Sequence, residues 1–95
     1  MLMSNPTPTV TLLTRAGCGM CGTALEQLRT ICGDFGLPVA TVDVDEAAVS
    51  EPELRAEYGD RLPVVLLNGR EHSYFDVDEP RLRADLSRIA GRDGK

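Results

Sequence analysis

Two cysteines separated by two residues, Cys18-Gly19-Met20-Cys21, stand where an apolar β-like run, Val10 to Thr14, gives way to a helical pattern. The first turn of a helix leaves backbone N–H groups without intrahelical partners and carries partial positive charge, so it favours a thiolate over a thiol. Cys18 is therefore the candidate nucleophile. An ordinary cysteine is only about 3% thiolate at pH 7, and each tenfold gain in ionisation needs about 1.4 kcal/mol. A helix terminus supplies up to about 2 kcal/mol. Arg15, just upstream, is expected to add to this, leaving Cys18 mostly thiolate in the cell. Helix neighbours at i and i+3 have Cβ atoms about 5–6 Å apart, against the roughly 3.5–4.5 Å of a disulfide. A Cys18–Cys21 bond should therefore close with slight distortion and reopen easily.

The helix that positions this pair is written in the residues from Cys21 onward. Cys21, Ala24, Leu25, Leu28, Ile31, Cys32 and Phe35 recur at the three-and-four spacing of one buried face, with Glu26, Gln27 and Arg29 opposite. Cys18 precedes this stripe and Cys21 begins it, so Cys18 is expected to attack and the more covered Cys21 to resolve. A lasting structural disulfide and a zinc centre are the competing readings. Met1 to Pro8 has neither the positive charge nor the apolar length of a secretion signal. A cytoplasmic location is expected, where lasting disulfides are rare. Zinc takes four ligands, and beyond this pair only Cys32, His72 and carboxylates remain. Cys32 falls on the buried face and reads as packing, so no metal is expected.

Ninety-five residues at 42% hydrophobic suffice for a single domain over 1–95, with a core in about 10–90 and no room for a second. A net charge of −5 without a basic cluster argues against nucleic acid or an anionic membrane surface as partner. No apolar run reaches the length of a membrane span. A monomer is expected, with Asn5 to Thr9 and Gly91 to Lys95 as loose ends.

The rest of the chain alternates strand and helix. Val39 to Val44 reads as a strand. Ser50-Glu51-Pro52-Glu53 resembles a capping box opening a helix through Leu54 and Tyr58, which Gly59 terminates. Pro63 starts a strand over Val64 to Leu67, and Asn68-Gly69 is a hairpin turn into an antiparallel strand around Glu71 to Phe75. Asp78-Glu79-Pro80 caps a last helix with Leu82, Leu86, Ile89 and Ala90 on its apolar face, ending near Gly91.

A dithiol after the first strand of a β-α-β-α-β-β-α chain resembles the glutaredoxin-like proteins of the thioredoxin superfamily, in particular the short bacterial ones. The likeness runs from Val10 to Ile89. It is carried by Thr14 to Cys21, the acidic Val42-Asp43-Val44-Asp45 strand end and Tyr58-Gly59-Asp60-Arg61-Leu62-Pro63-Val64-Val65. The resemblance implies an α/β thioredoxin-like fold: a four-stranded mixed sheet with helices on both faces. It also implies a cis Leu62–Pro63 peptide facing the dithiol, where the Leu62 backbone pairs with a bound thiol peptide and Arg61 stands at the same rim. Read alone, Pro63 is a strand-starting proline and Arg61 a lone surface charge able to steer an acidic thiol substrate.

Departures from the glutaredoxin pattern bear on the ligand. Gly19 and Met20 replace the usual Pro-Tyr between the cysteines, and Arg61-Leu62 replace Thr-Val before the proline. No glycine occurs from Phe75 to Pro80, where a glutaredoxin has the Gly-Gly turn that helps hold glutathione. Arg15 matches a basic residue that binds a glutathione carboxylate, and Asp78 approximates an acidic residue at the last helix. Nearly all the basic residues are arginine, a bias common in GC-rich genomes, some of them from bacteria that use other small thiols.

The sequence thus points to a thiol-disulfide oxidoreductase with no resident cofactor. Glutathione or another low-molecular-weight thiol is the expected co-substrate. Expected partners are a disulfide-bearing protein or small thiol as substrate and a reductase or small thiol as electron donor. An iron–sulfur or metal carrier using Cys18, and a thioredoxin-fold interaction module, are the alternatives.

Overall fold

A computed structural model describes residues 7–89. Four strands, β1 (Val10–Thr14), β2 (Val39–Asp43), β3 (Val64–Leu67) and β4 (Arg70–Tyr74), form one sheet in the order β2-β1-β3-β4. β1 runs parallel to β2 and antiparallel to β3, which pairs antiparallel with β4. The helices are α1 (Gly19–Gly33), α2 (Val44–Ala47), α3 (Pro52–Tyr58) and α4 (Glu79–Ile89).

Both faces of the sheet are covered, which is why β1 reads as a continuous apolar run instead of an alternating one. On one face Val10, Leu12, Val65 and Leu67 meet Ala24, Leu28, Ile31 and Cys32 of α1 and Leu82 and Leu86 of α4. On the other, Leu13 and Val64 pack with Val44, and Leu54, Tyr58 and Leu62 close over them. Burying a Leu or Ile side chain fully is worth about 1.5–3 kcal/mol. The first face, with Leu12, Leu28, Ile31, Leu82 and Leu86 at 0% exposure, therefore dominates stability.

The hairpin follows the sequence closely. Asn68 (φ 55) and Gly69 (φ 82) both take the positive φ of a two-residue turn matched to strand twist. The Asn68 side chain also accepts the Thr9 N–H at 2.9 Å, and the Asn68 N–H returns to the Thr9 carbonyl. This corrects the loose N-terminal segment as far as Thr9: Pro8 is buried and Thr9 is tied down, while Asn5 and Pro6 lie outside the described residues.

Three boundaries differ from expectation. β2 stops at Asp43, because the Asp43 carboxylate accepts the N–H groups of Asp45 and Glu46 (2.9 and 3.1 Å) and caps the short α2. The capping box at Ser50 does not form. The Ser50 and Glu51 N–H groups both go back to the Ala47 carbonyl at the end of α2, and α3 starts from Glu51 with Pro52 in its first turn. β4 covers Arg70–Tyr74 and leaves out Phe75, whose φ of +66 takes it out of the strand. In α4, Leu82 and Leu86 are buried and Ile89 is half-buried, whereas Ala90 and Gly91 lie outside the described residues. Among the described residues no helix is long and apolar enough to cross a membrane.

Candidate functional site

The strand register collects the chemically capable residues at one end of the sheet. Thr14 pairs with Asp43, Leu13 with Val64, and Val64 with Tyr74. The C-terminal ends of β1, β2 and β4 and the N-terminal end of β3 are therefore together, bringing Arg15, Asp45, Pro63 and Phe75 to one rim. From Thr14 the chain reaches α1 through a tight turn closed by Cys18 N–H to the Arg15 carbonyl at 3.1 Å. Its third residue, Gly17, takes φ +82, as in a type II turn, a conformation glycine adopts without strain.

Cys18 is the N-cap of α1, and Cys21 lies in its first turn. The two are joined as a disulfide with Cα atoms 5.4 Å apart, inside the usual span. Cys18 is half-buried and Cys21 only 5% exposed, so the exposure difference has the expected sense. No acidic residue occupies the first turn of α1, and no side chain caps it, so its N–H groups and dipole stay available to a charge at Cys18. Cys32, about 16 Å along the helix from Cys21 at 1.5 Å per residue, is fully buried, and burial pushes its thiol pKa up.

Arg15 is paired within the fold. Its Nε and Nη2 donate to both carboxylate oxygens of Asp45, at 2.8 and 3.0 Å, and Arg55 approaches the same carboxylate at 3.6 Å. The hydrogen bond to Asp45 raises the Arg15 pKa, with Asp43 and Asp60 adding to it, and the Arg15 hydrogen bond lowers that of Asp45. The guanidinium is thus held by a protein carboxylate in a bidentate pair, the geometry it would otherwise offer a ligand carboxylate. The positive charge expected to support a Cys18 thiolate is thus shared with the Asp45 carboxylate.

The Leu62–Pro63 peptide is cis, and Pro63 is buried at the start of β3. The Phe75 N–H donates to the carbonyls of Arg61 (3.2 Å) and Pro63 (2.8 Å), which tie the end of β4 to the segment entering β3. Leu62 between them is half-buried, its side chain packed on the second core cluster. Arg61 is not a lone charge. Its Nη2 pairs with Glu71 at 3.0 Å, and its guanidinium lies over the rings of Tyr58 and Tyr74 at 5.5 and 5.7 Å. The arginine expected to reach outward is committed to this end of the sheet.

Residues that sequence reasoning missed complete the rim. Asp43 and Glu46, three apart, carried a capping signal for α2 that the apolar Val42 and Val44 obscured. Phe75 holds a left-handed backbone that costs an L-residue roughly 1–2 kcal/mol, yet its ring is 49% exposed and stacks edge-on with Tyr74 at 5.1 Å. No sequence signal marks an aromatic residue for such a position. A cleft of about 820 Å³ opens beside it, lined by Ser73, Tyr74, Asp76, Asp78, Glu79 and Arg81 among others, and neither cysteine lines it.

A cysteine pair at the bare N-terminus of the first helix, at the same end of the sheet as a cis-proline entering an antiparallel strand, defines a dithiol protein of thioredoxin fold. The chain belongs to the family described as Glutaredoxin-like domain (DUF836), matched over residues 9–87. Uncharacterized proteins of Mycobacterium tuberculosis (Rv0508) and Mycobacterium bovis (Mb0520) are each 60% identical to it over 82 residues, 85% of this chain and 84% of theirs. The solved X. campestris structural-genomics target protein XcR50 superposes with a TM-score of 0.62 at 32% identity, covering 84% of this chain and 97% of that one. A mutant thioredoxin from Halobacterium salinarum shares the fold at 22% identity and a TM-score of 0.58, covering 88% of this chain and 75% of its own.

Proposed function

We propose that the protein is a cytoplasmic, monomeric thiol-disulfide oxidoreductase. The observation that carries this reading is the half-buried Cys18 at the unshielded N-terminus of α1, paired with the buried Cys21. The Cys18 thiolate attacks one sulfur of a substrate disulfide and expels the other as a thiolate, forming a mixed disulfide. The Cys21 thiolate then attacks the Cys18 sulfur, releases the second substrate thiolate and closes the Cys18–Cys21 bond. A dithiol reductase or a low-molecular-weight thiol returns the two electrons. The released thiolates take up protons from solvent. The Leu62 backbone and Pro63 serve as the substrate-binding edge.

The electron donor is read from the same rim. Arg15 is occupied by Asp45, Arg61 by Glu71, and residues 75–80 have no glycine pair to open a backbone cradle. Glutathione is thus a poor co-substrate, and a reductase or a different small thiol is the better donor. The test is a substitution pair. Cys21→Ser should accumulate a mixed disulfide on Cys18, detectable as a mass adduct, and Cys18→Ser should not react with disulfides at all. Turnover by Cys18→Ser would overturn the assignment, and colour or bound metal in the purified protein would favour the carrier reading.

A further inference from the structure

We propose that Met20, Tyr74 and Phe75 form a docking face for a protein disulfide, whose attacked cysteine lies in an extended segment with an apolar residue and lysine or arginine neighbours. This rests on the dithiol reading and names its substrate class. Met20, Tyr74 and Phe75 are 56%, 50% and 49% exposed and are three of the four exposed large apolar side chains among the described residues. Met20 lies between the two cysteines. The Phe75 N–H is bonded to the Pro63 carbonyl, and Val64 pairs with Leu13 of the strand that leads into Cys18. The aromatic pair therefore lies at the dithiol end of the sheet. Exposed apolar side chains gathered at one end of a sheet mark an interaction surface, and a flexible thioether adapts to varied partners. The left-handed backbone of Phe75 sharpens the point, since glycine would fill that position without strain, while half of the Phe75 surface stays exposed.

Charge selects the partner. The arginines here are paired from within: Arg15 and Arg55 with Asp45, Arg61 with Glu71, and Arg81 with Asp78. Asp43 and Asp60 also act on Arg15, and Asp76 faces the adjoining cleft with Asp78. Six carboxylates, Asp43, Asp45, Asp60, Glu71, Asp76 and Asp78, thus stand against four arginines, and this end of the fold is acidic on balance. An acidic field concentrates cationic segments and repels a small thiol bearing carboxylates.

The test measures single-turnover oxidation of the reduced protein by three disulfides. One is the neutral bis(2-hydroxyethyl) disulfide; the others are peptide disulfides with Leu–Lys or Leu–Glu flanks of equal length. The Leu–Lys peptide should react at least about tenfold faster than the Leu–Glu peptide at low salt, and the advantage should shrink at high salt. Phe75→Gly, which suits the local backbone, should lower the ratio of Leu–Lys to neutral-disulfide rates several-fold. Asp60→Asn with Asp76→Asn should reduce the preference for Lys over Glu flanks. Equal peptide rates, or an unchanged ratio in Phe75→Gly, would overturn the docking face alone. Failure to react with the neutral disulfide would overturn the dithiol reading and the docking face with it.

Discussion

The two ends of α1 carry the same side chain in opposite circumstances. Cys18 caps the N-terminus, half-buried, with no side-chain cap on the helix N–H groups and no acidic residue in the first turn. Cys32 sits in the last turn at 0% exposure, in the main core cluster, where burial raises its thiol pKa. Reactivity follows from the thiolate fraction and from access, and both favour the N-terminal cysteine. On the proposed reading, one helix makes one thiol a reagent and leaves the other a piece of packing.

The most direct way to break this comparison is alkylation of the reduced protein at pH 7. Cys18 should react at least about a hundredfold faster than Cys32, since ionisation and exposure multiply. Comparable rates would show that the helix terminus confers no activation. Cys32→Ala should leave disulfide exchange intact while lowering stability by about 1–2 kcal/mol, because it removes only a small buried group. Loss of turnover in that variant would require a three-thiol mechanism.

Packing between the two ends should decide how protected Cys32 remains. Leu28, fully buried midway along α1, should cost about 2–5 kcal/mol as Leu28→Ala. Hydrogen exchange would then show α1 opening more often, and Cys32 alkylation should accelerate with it, while Cys18 barely changes. An unchanged Cys32 rate would mean that α1 opens independently of this contact.

Glutathione probes the reactive end. Each missing charge-assisted hydrogen bond is worth roughly 1.5–3 kcal/mol, about ten- to more than hundredfold in affinity. Glutathione-coupled turnover should fall below that of a reductase-coupled system by a factor in that range. Turnover equal to that of a conventional dithiol glutaredoxin would restore the ordinary ligand site.

The helix stripe, the hairpin and the dithiol were legible in the sequence because each depends on local rules. Cys21, Ala24, Leu28, Ile31 and Cys32 keep their spacing in any fold that buries one helix face. Asn68-Gly69 dictates its own turn. What could not be read was long-range pairing of charges. Asp45 lies thirty residues from Arg15 and Glu71 ten from Arg61, and only the sheet register brings each pair together. Asp43 was visible as a strand end but not as a cap, because a carboxylate after a β-branched run serves either role until the chain direction is known.

Releasing Arg15 should sharpen the comparison more gently. With Asp45→Asn the guanidinium keeps its reach but loses the carboxylate that neutralises it, so the Cys18 thiolate gains a nearby positive charge. Alkylation of Cys18 at pH 6 should rise by a factor of a few, and more at low salt, since an exposed pair is screened. No change would place Arg15 beyond electrostatic reach of Cys18.

The smallest expected effect is acid stability. On the α4 side of the sheet, Asp85 pairs with Arg88 at 2.9 Å and with His72 of β4 at 2.8 Å, the His72 side chain being only 5% exposed. Arg81 of the same helix donates to the His72 carbonyl, so strand and helix are tied from both sides. The hydrogen bonds from Arg88 and then His72 hold the Asp85 pKa below its ordinary value. A carboxylate depressed in this way stabilises the fold fully above its unfolded pKa, near about 3.9, and loses that contribution as pH falls through the folded value. Asp45 is depressed in the same direction by Arg15, but its pair is about 40% exposed on each side. Below about pH 4, Asp85→Asn should therefore flatten the stability–pH profile more than Asp45→Asn. The Asp45 contribution should fade in high salt, as should the part of the Asp85 contribution that comes from the exposed Arg88, while the part from the nearly buried His72 should persist. Equal flattening and equal salt sensitivity would show that both pairs behave as surface ion pairs, and that partial burial of His72 does not set the α4 seam apart from the dithiol rim.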